Sequence, residues 1–350
     1  MHISMRSYRI LRVVRRLSEL PGEDRNAIVT LLKKVKHLNK LVAGGYVEVA
    51  RGLAEMQGLT YFYNALFYYR GREDAARFGL RACDGGGCGG EGAAVDLSAG
   101  ELRLWTPWHV VTVKLNEGEV KYIRQRLEEG AEPAYAEAWA DNSRLYVALK
   151  FVREVEPIRP KKLVVVVVDA ARHRAVVGVV DRYVEEVKAF EAPAEKVRRA
   201  LKRAQTYAQA PKLRNAKKKR KRYEKRAENL VRDFVEKASG EIAELARRHE
   251  AEVWIHASVD SSAYGQMDEW ERVLARGLLE LARRVRRKAA WHGVLARYVD
   301  LPASKCPRCG AEVRDVEGVA FCGSCGFISE ADRVPLYWAL KKWIGERAKA

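Results

Sequence analysis

The sequence predicts a multidomain α/β protein, and three observations point to that class. Residues 163–168 form an apolar, mostly β-branched run, which is typical of a strand that is buried on both faces of a sheet. Apolar residues recur at helical spacing over long segments before and after that run. Two CxxC pairs near the C-terminus indicate a small metal-bound module. A chain of 350 residues has room for two or three domains.

The two CxxC pairs predict a zinc ribbon. The four cysteines are Cys306, Cys309, Cys322 and Cys325, and a glycine follows the second cysteine of each pair. Four thiolates at this spacing suit one tetrahedral Zn²⁺ ion, whereas two disulfides are the alternative. Four protein ligands leave no open coordination position, so we expect this zinc to hold structure and not to catalyse.

The charge balance favours a polyanionic partner. The chain has 65 Lys and Arg against 46 Asp and Glu, a net charge of +19. A ribosomal-type or merely basic protein is the alternative. A membrane partner is not expected, because the longest apolar run, residues 163–168, is too short to span a bilayer. The N-terminal residues do not resemble a signal peptide, so we expect a cytoplasmic location. The sequence does not indicate an oligomeric state.

The first 160 residues divide into three predicted segments. Residues 1–20 contain a first strand, residues 21–100 a helical block with a Gly-rich loop, and residues 101–160 a small β-barrel. The aromatic stretch at 61–70 is either a surface for stacked bases or, as we favour, part of a helical core. We expect the Gly-rich loop, which contains Cys83 and Cys88, to be a flexible insertion with free thiols.

The rest of the chain predicts an α/β domain over residues 161–303, the ribbon over 304–328 and a closing helix over 329–350. Between its strands lie two long helices, and from Lys196 to Arg226 the chain is crowded with Lys and Arg against a single acid, Glu224. A solvated helix face would carry more acids, so we expect contacts with backbone phosphates. The residues predicted to make them are Lys202, Arg203, Lys212, Arg214, Lys217, Lys218, Lys219, Arg220, Lys221 and Arg222.

Residues 163–345 resemble the RuvC-like nuclease region of the TnpB family, transposon-encoded RNA-guided nucleases that are related to type V CRISPR effectors. The resemblance rests on the strand that ends in Asp169, the basic helical hairpin, the strand at 252–256 and the cysteine-containing segments 298–310 and 322–332. It implies an RNase H-like (RuvC) domain with an inserted zinc ribbon. The N-terminal half resembles the family's recognition and wedge domains, without a specific motif.

The resemblance also implies a catalytic centre of three carboxylates, Asp, Glu and Asp, which hold two Mg²⁺ ions. Asp169 matches the first position and Asp332 the third, but His256 stands where the Glu is expected. Imidazole is a poorer Mg²⁺ ligand than carboxylate. The family pattern is also broken beside both acids, at Ala170 and Val334.

We therefore expect an RNA-binding, nuclease-inactive protein, in which Asp169 and Asp332 are remnant acids and Mg²⁺ binds only if nuclease activity persists. One alternative is an active RNA-guided, metal-dependent DNA endonuclease in which His256 or a nearby acid serves as a ligand. The other is a domesticated factor bound to ribosomal or another structured RNA. The charged fraction of 32% is typical of a thermophilic source.

Overall fold

The computed structural model describes residues 5–68, 72, 74–84, 92–210, 215–258 and 265–348. The chain divides into two compact units, one of residues 6–154 and one that begins at Val155. The predicted mixed α/β class is confirmed, with three separate sheets. Within the described ranges, no helix is both long enough and apolar enough to cross a membrane.

The first unit combines four helices with one large sheet, within its described residues. The helices are α1 (Gly22–Ala43), α2 (Val47–Met56), α3 (Thr60–Tyr68) and α4 (Glu117–Glu128). Helix α4 begins with a capping box, because the Asn116 side chain accepts the Glu119 N–H at 2.9 Å and the Glu119 carboxylate accepts the Asn116 N–H at 2.8 Å. In α3, Phe62 is buried edge-on against Phe78, as expected for a core position.

The sheet of the first unit has seven strands in the order β1-β7-β6-β2-β3-β4-β5. They are β1 (Met5–Arg16), β2 (Ala76–Cys83), β3 (Ala93–Asp96), β4 (Glu101–Trp105), β5 (Val110–Lys114), β6 (Glu132–Ala140) and β7 (Arg144–Val155). The sheet therefore extends well outside the predicted barrel at 101–160. It takes in β2 and β3, which fall inside the block predicted as helical at 21–100, because the buried residues of β2 pair with both β3 and β6.

One prediction for the Gly-rich loop was wrong. Cys83 is disulfide-bonded and is not a free thiol. Cys88, the other cysteine of that prediction, lies outside the described residues.

The second unit is built on a five-stranded sheet with the order β10-β9-β8-β11-β12. The strands are β8 (Lys162–Asp169), β9 (Arg174–Val180), β10 (Val184–Glu191), β11 (Ala251–Ser258) and β12 (Ala296–Tyr298). β8, β9 and β10 form an antiparallel meander, whereas β11 runs parallel to both β8 and β12. The carboxyl ends of β8, β11 and β12 therefore meet at one edge of the sheet.

Helices cover both faces of this sheet, which explains the continuous apolar run in β8. Helices α5 (Ala194–Gln209), α6 (Ala216–Arg248) and α7 (Glu269–Trp291) pack on the face that contains Val164, Val166 and Val168. Helix α8 (Val334–Arg347) packs on the opposite face, against Leu163, Val165 and Val167. This packing requires Gly178 in β9, because a Cβ there would lie 2.9 Å from Leu336 Cδ1.

A three-stranded sheet separates β12 from α8 in the chain. Its strands are β13 (Arg314–Val316), β14 (Val319–Phe321) and β15 (Ile328–Glu330), all antiparallel. Glu317 and Gly318 join β13 to β14 with positive φ angles of 50° and 91°, the conformation of a tight two-residue hairpin turn. The small sheet positions the cysteine-containing loops described below.

Candidate metal centre and nucleic-acid interface

The four predicted zinc ligands come together in the second unit. The Sγ atoms of Cys306, Cys309, Cys322 and Cys325 all lie within 4.8 Å of one another, and the Cys306–Cys325 and Cys309–Cys322 pairs are each 3.5 Å apart. Tetrahedral coordination with Zn–S bonds of about 2.3 Å places the sulfurs about 3.8 Å apart. The cluster therefore has the dimensions of a four-thiolate metal site.

Each CxxC pair is folded as a knuckle that prepares its thiols for a metal. The Cys306 carbonyl accepts the Gly310 N–H at 2.9 Å, and the Cys322 carbonyl accepts the Gly326 N–H at 3.0 Å. Both glycines have positive φ, 79° and 70°, which a residue with a Cβ rarely adopts. Burial raises the pKa of the Cys306 thiol, but the N–H groups of the following turn outweigh it and lower that pKa to about 6. A thiolate is the form that binds metal.

The three residues predicted for the catalytic centre line one open pocket of about 360 Å³. Asp169 ends β8 and lies in register with Ser258 of β11, so His256, two residues earlier, is on the same face of the sheet. Asp332 reaches this face from the 3-10 turn Ala331–Arg333, directly before α8. Asp315 of β13 completes the acidic part of the lining.

Asp169 is held by Arg172, three residues further along the chain. Asp169 Oδ1 accepts the Arg172 backbone N–H at 2.9 Å, and Oδ2 accepts Nη1 of the guanidinium at 2.7 Å. The other guanidinium nitrogen, Nη2, donates to Asp315. The hydrogen bond to Asp169, followed by that to Asp315, raises the pKa of Arg172 in spite of its partial burial. Arg172 thus neutralises Asp169 and ties the β8–β9 turn to the small sheet.

Asp332 has its own arginine. The side chain of Asp332 is 1% exposed and forms an ion pair with Arg174. Arg174 is the register partner of Asp169 on β9, so its side chain projects from the same face of the sheet. A buried carboxylate without a cation is strongly disfavoured, and Arg174 supplies the charge that Asp332 needs.

His256 is buried, and its ring is already engaged. Its Nδ1 atom accepts the Leu301 backbone N–H at 3.2 Å, which engages the lone pair of that nitrogen. The carboxylate of Asp300 is 3.8 Å from the same Nδ1, which is too long for a hydrogen bond, and that side chain is fully exposed. The Nδ1 lone pair of His256 is therefore already used within the fold.

These contacts do not fit a two-Mg²⁺ centre. Such a centre needs several carboxylate oxygens free to bind cations. Here Asp169 is hydrogen-bonded to Arg172, Asp332 is ion-paired with Arg174 although neither of its oxygens has a hydrogen-bond partner in the described structure, and the residue between them in the implied triad is an imidazole. Within the described part of the chain, the four cysteines are the group of His, Cys, Asp or Glu residues that converges as metal ligands do.

A cationic groove lies between α5 and α6 in the second unit. It encloses about 280 Å³ and is lined by Lys196, Arg199, Ala200, Arg203, Tyr223 and Arg226. No acid is among these lining residues, although Arg199 also contacts Glu195 at 3.2 Å. Arg203 lies 5.7 Å from the centre of the Tyr223 ring, and that ring stacks on Tyr207 with 7° between the planes.

The groove contains only part of the predicted phosphate-binding set. Arg203 lines it, whereas Lys202 is exposed outside its lining. The run Lys217, Lys218, Lys219, Arg220, Lys221 and Arg222 is exposed on the first turns of α6. Within that run, Arg220 pairs with Glu224 at 2.7 Å. Lys212 and Arg214 lie outside the described residues.

The predicted set of phosphate contacts did not include Lys196, Arg199 and Arg226, although Lys196 and Arg226 bound the predicted basic run. Arg199 and Arg203 lie three and seven positions after Lys196, a spacing that places all three on one face of α5. That periodicity was the available signal. Arg226 joins them only through the packing of α6 against α5.

No protein-family model matches the sequence, and no curated protein matches it. Among solved structures, the chain is similar to one described as a Cas12f1–sgRNA–target DNA complex, with 12% sequence identity and a TM-score of 0.49. The similarity covers 84% of this chain and 71% of that one.

Proposed function

We propose that this protein is an RNA-binding relative of the TnpB family whose acid pocket does not work as a two-metal nuclease centre. The observation that carries the proposal is the groove between α5 and α6, where four cations line one surface without an acid. Surface cations are normally interleaved with acids, and their segregation on one groove favours a polyanion. The charge of +19 extends the same preference to the whole chain.

Descent from a TnpB-like nuclease is supported by the arrangement of the second unit. Its central strand β8 ends in an aspartate, its second strand is antiparallel, and its cysteine cluster is inserted between β12 and α8. These are the features that the sequence resemblance to a RuvC-like domain implies. In the same proposal the four thiolates bind Zn²⁺ and stabilise the inserted module.

Loss of nuclease activity is supported by Arg172 and Arg174. Each arginine is ion-paired with a carboxylate that a catalytic metal ion would need as a ligand. The guanidinium charges replace those of the ions, so the pocket keeps its fold without a cofactor. The imidazole of His256 in the middle position gives no carboxylate with which to recruit a cation.

One observation favours the second candidate, an active endonuclease. Asp169, His256 and Asp332 line a single open pocket, as they would if a metal bound after the arginines moved away. In that case the purified protein should cut DNA in Mg²⁺, and Asp169→Ala should abolish cutting. The proposal made here requires instead that cutting be undetectable while RNA binding persists.

The test of binding compares two double charge reversals on the same hairpin. Arg199→Glu with Arg203→Glu changes the groove, whereas Lys237→Glu with Arg248→Glu changes exposed positions on the far half of α6. RNA recovered with the native protein is titrated at several salt concentrations. We expect the groove variant to reduce the slope of log affinity against log salt by about 1.5, from two lost contacts at about 0.7 each. Equal slopes for both variants would refute the groove as the binding site.

A further inference from the structure

The first unit carries a second aromatic and basic surface, on the face of strands β1, β6 and β7 that lies opposite the buried aliphatic residues of β7; Tyr8 is exposed on this face, whereas Trp139 is buried. In the β6–β7 pair, Trp139 lies opposite Tyr146 and Tyr135 lies opposite Lys150. The residues that alternate with these on β7, Leu145, Val147, Leu149 and Phe151, are buried in the core. Side chains alternate across a strand, so the aromatic and basic residues share the opposite face.

The side chains of this surface form two clusters, each of which crosses the strands and is called a rung below. In the first rung, the Lys150 ammonium lies 4.8 Å from the centre of the Tyr8 ring and 5.0 Å from that of Tyr135. In the second rung, the rings of Trp139 and Tyr146 stack with centroids 5.5 Å apart and 6° between their planes. Ala148 lies between the two rungs on β7, and its small side chain projects little from the sheet there.

Arginines flank the second rung. Arg12 of β1 lies 5.4 Å from the Trp139 ring centre, and Arg72 lies 4.9 Å from it. Arg72 is neutralised by Asp74, to which it donates two hydrogen bonds of 2.8 Å. Arg12 and Lys150 are positive charges of this face that lie over aromatic rings.

The acids at this face are held by neighbouring groups: Asp141 accepts the Tyr146 hydroxyl at 2.8 Å, Asp74 pairs with Arg72, and Glu137 is buried. Glu137 lies between the rungs on β6, but its carboxylate accepts the Arg72 N–H at 2.7 Å and the Arg77 guanidinium at 3.3 Å. Burial, and then repulsion from Arg6, lower the pKa of Lys150 in spite of attraction from Glu137. An anion placed beside Lys150 would relieve this unfavourable environment.

We propose that this sheet face binds a single-stranded segment of nucleic acid, with unpaired bases stacked on Tyr8 and Tyr146 and phosphates beside Lys150 and Arg12. Tyr8 is 39% exposed, so its ring is accessible to a base. Flat rings on a sheet select unpaired bases, because the bases of a duplex are already stacked. The face belongs to the first unit, so the inference goes beyond the α5–α6 groove and is independent of it.

Photocrosslinking of the unmodified full-length protein gives the first test. A short oligouridylate strand is irradiated with the protein, and the modified peptides are mapped by mass spectrometry. We expect adducts within β1 or β7, at Tyr8 or Tyr146. Adducts confined to α5 and α6 would overturn the proposal but would leave the function of the groove supported.

Variants give the second test, in the Arg199→Glu, Arg203→Glu background, which removes much of the groove's contribution. We expect Tyr8→Ala to weaken binding of a labelled oligoadenylate strand about tenfold, because loss of one stacked base costs about that much. Tyr8→Phe keeps the ring and should retain the affinity. Tyr46→Ala removes an exposed tyrosine outside this face and serves as the control. The duplex formed by annealing the oligoadenylate strand to oligouridylate should bind with equal affinity to the parent and to the variant that also carries Tyr8→Ala.

The proposal is overturned if Tyr8→Ala binds the single strand as tightly as its parent does, or if duplex binding falls by the same factor. Lys150→Gln provides a variant that keeps every ring in place. It should weaken single-strand binding by a few-fold and reduce its salt dependence. An unchanged affinity and salt dependence in Lys150→Gln would exclude a phosphate contact at this face.

Discussion

Arg174 forms an ion pair with the buried Asp332, although 158 positions separate the two residues (332 − 174). The pair joins β9 to the turn that begins α8, and it compensates an acid whose side chain is 1% exposed. This contact makes Asp332 part of the folded framework. It also gives the first prediction.

We expect Arg174→Ala to lower the free energy of unfolding by about 3 kcal/mol, because it leaves Asp332 buried without a cation. Urea denaturation, followed through the unfolding transition of the second unit, measures this free energy. Arg174→Met combined with Asp332→Leu should recover most of the loss, since it removes both charges. Arg198→Ala, which disrupts only an exposed pair with Glu195, is the control and should change stability by less than about 1 kcal/mol. Equal effects from the two alanine variants would contradict the proposed role of Arg174.

The natural protein should cleave little or no DNA in Mg²⁺ at the pocket lined by Asp169, His256 and Asp332. Asp169→Ala should leave nucleic-acid binding intact, because Asp169 contacts Arg172 within the pocket and not the α5–α6 groove. A gel assay with RNA-loaded protein measures cleavage, and the same preparation measures binding. Robust cutting that Asp169→Ala abolishes would move the function to an endonuclease.

Replacing the imidazole tests whether the missing carboxylate limits metal binding. We expect His256→Glu alone to bind Mg²⁺ weakly, because Arg172 and Arg174 still hold the flanking acids. Adding Arg172→Ala should strengthen binding, since Asp169 then regains free oxygens. Calorimetric titration with Mg²⁺ compares the two variants, with Arg172→Ala alone as control. Equal affinities for the single and combined variants would show that Arg172 does not oppose the metal.

The cysteine cluster should bind about one Zn²⁺ ion per chain. Cys306→Ser and Cys325→Ser should each remove the metal and lower the thermal midpoint of the second unit, because metal binding and folding of this module are coupled. Ser324→Ala changes a residue inside the second knuckle that is not a ligand and should keep the zinc. Metal analysis and thermal melting are the measurements. A protein that contains no zinc, or a disulfide between the pairs, would contradict the prediction.

The exposed lysine and arginine run on α6 provides a further test of the hairpin. Neutralising Lys217, Lys218, Lys219, Arg220, Lys221 and Arg222 should flatten the salt dependence of RNA binding if the strand extends from the groove along α6. Titration at several salt concentrations measures the slope. An unchanged slope would mean that the run is a solvated helix face and that contacts are limited to the groove.

Local patterns determined much of this protein. The cysteine ligands were predictable because their spacing within each CxxC pair sets the geometry of a knuckle over a few residues. The strand that ends in Asp169 was predictable from its apolar run, since burial on both faces leaves no alternation. The burial of Phe62 was predictable because a dense aromatic stretch in a helical segment favours a core position.

Tertiary structure decided what the site contains. Arg172 and Arg174 lie close to Asp169 in sequence, but their roles depend on the β8–β9 register and on the packing of α8 and the small sheet. Arg226 and Arg203 line the same groove only because α6 packs against α5. Spacing along the chain reports only on neighbours within a turn or a strand, whereas charge compensation depends on which distant side chains the completed core brings together.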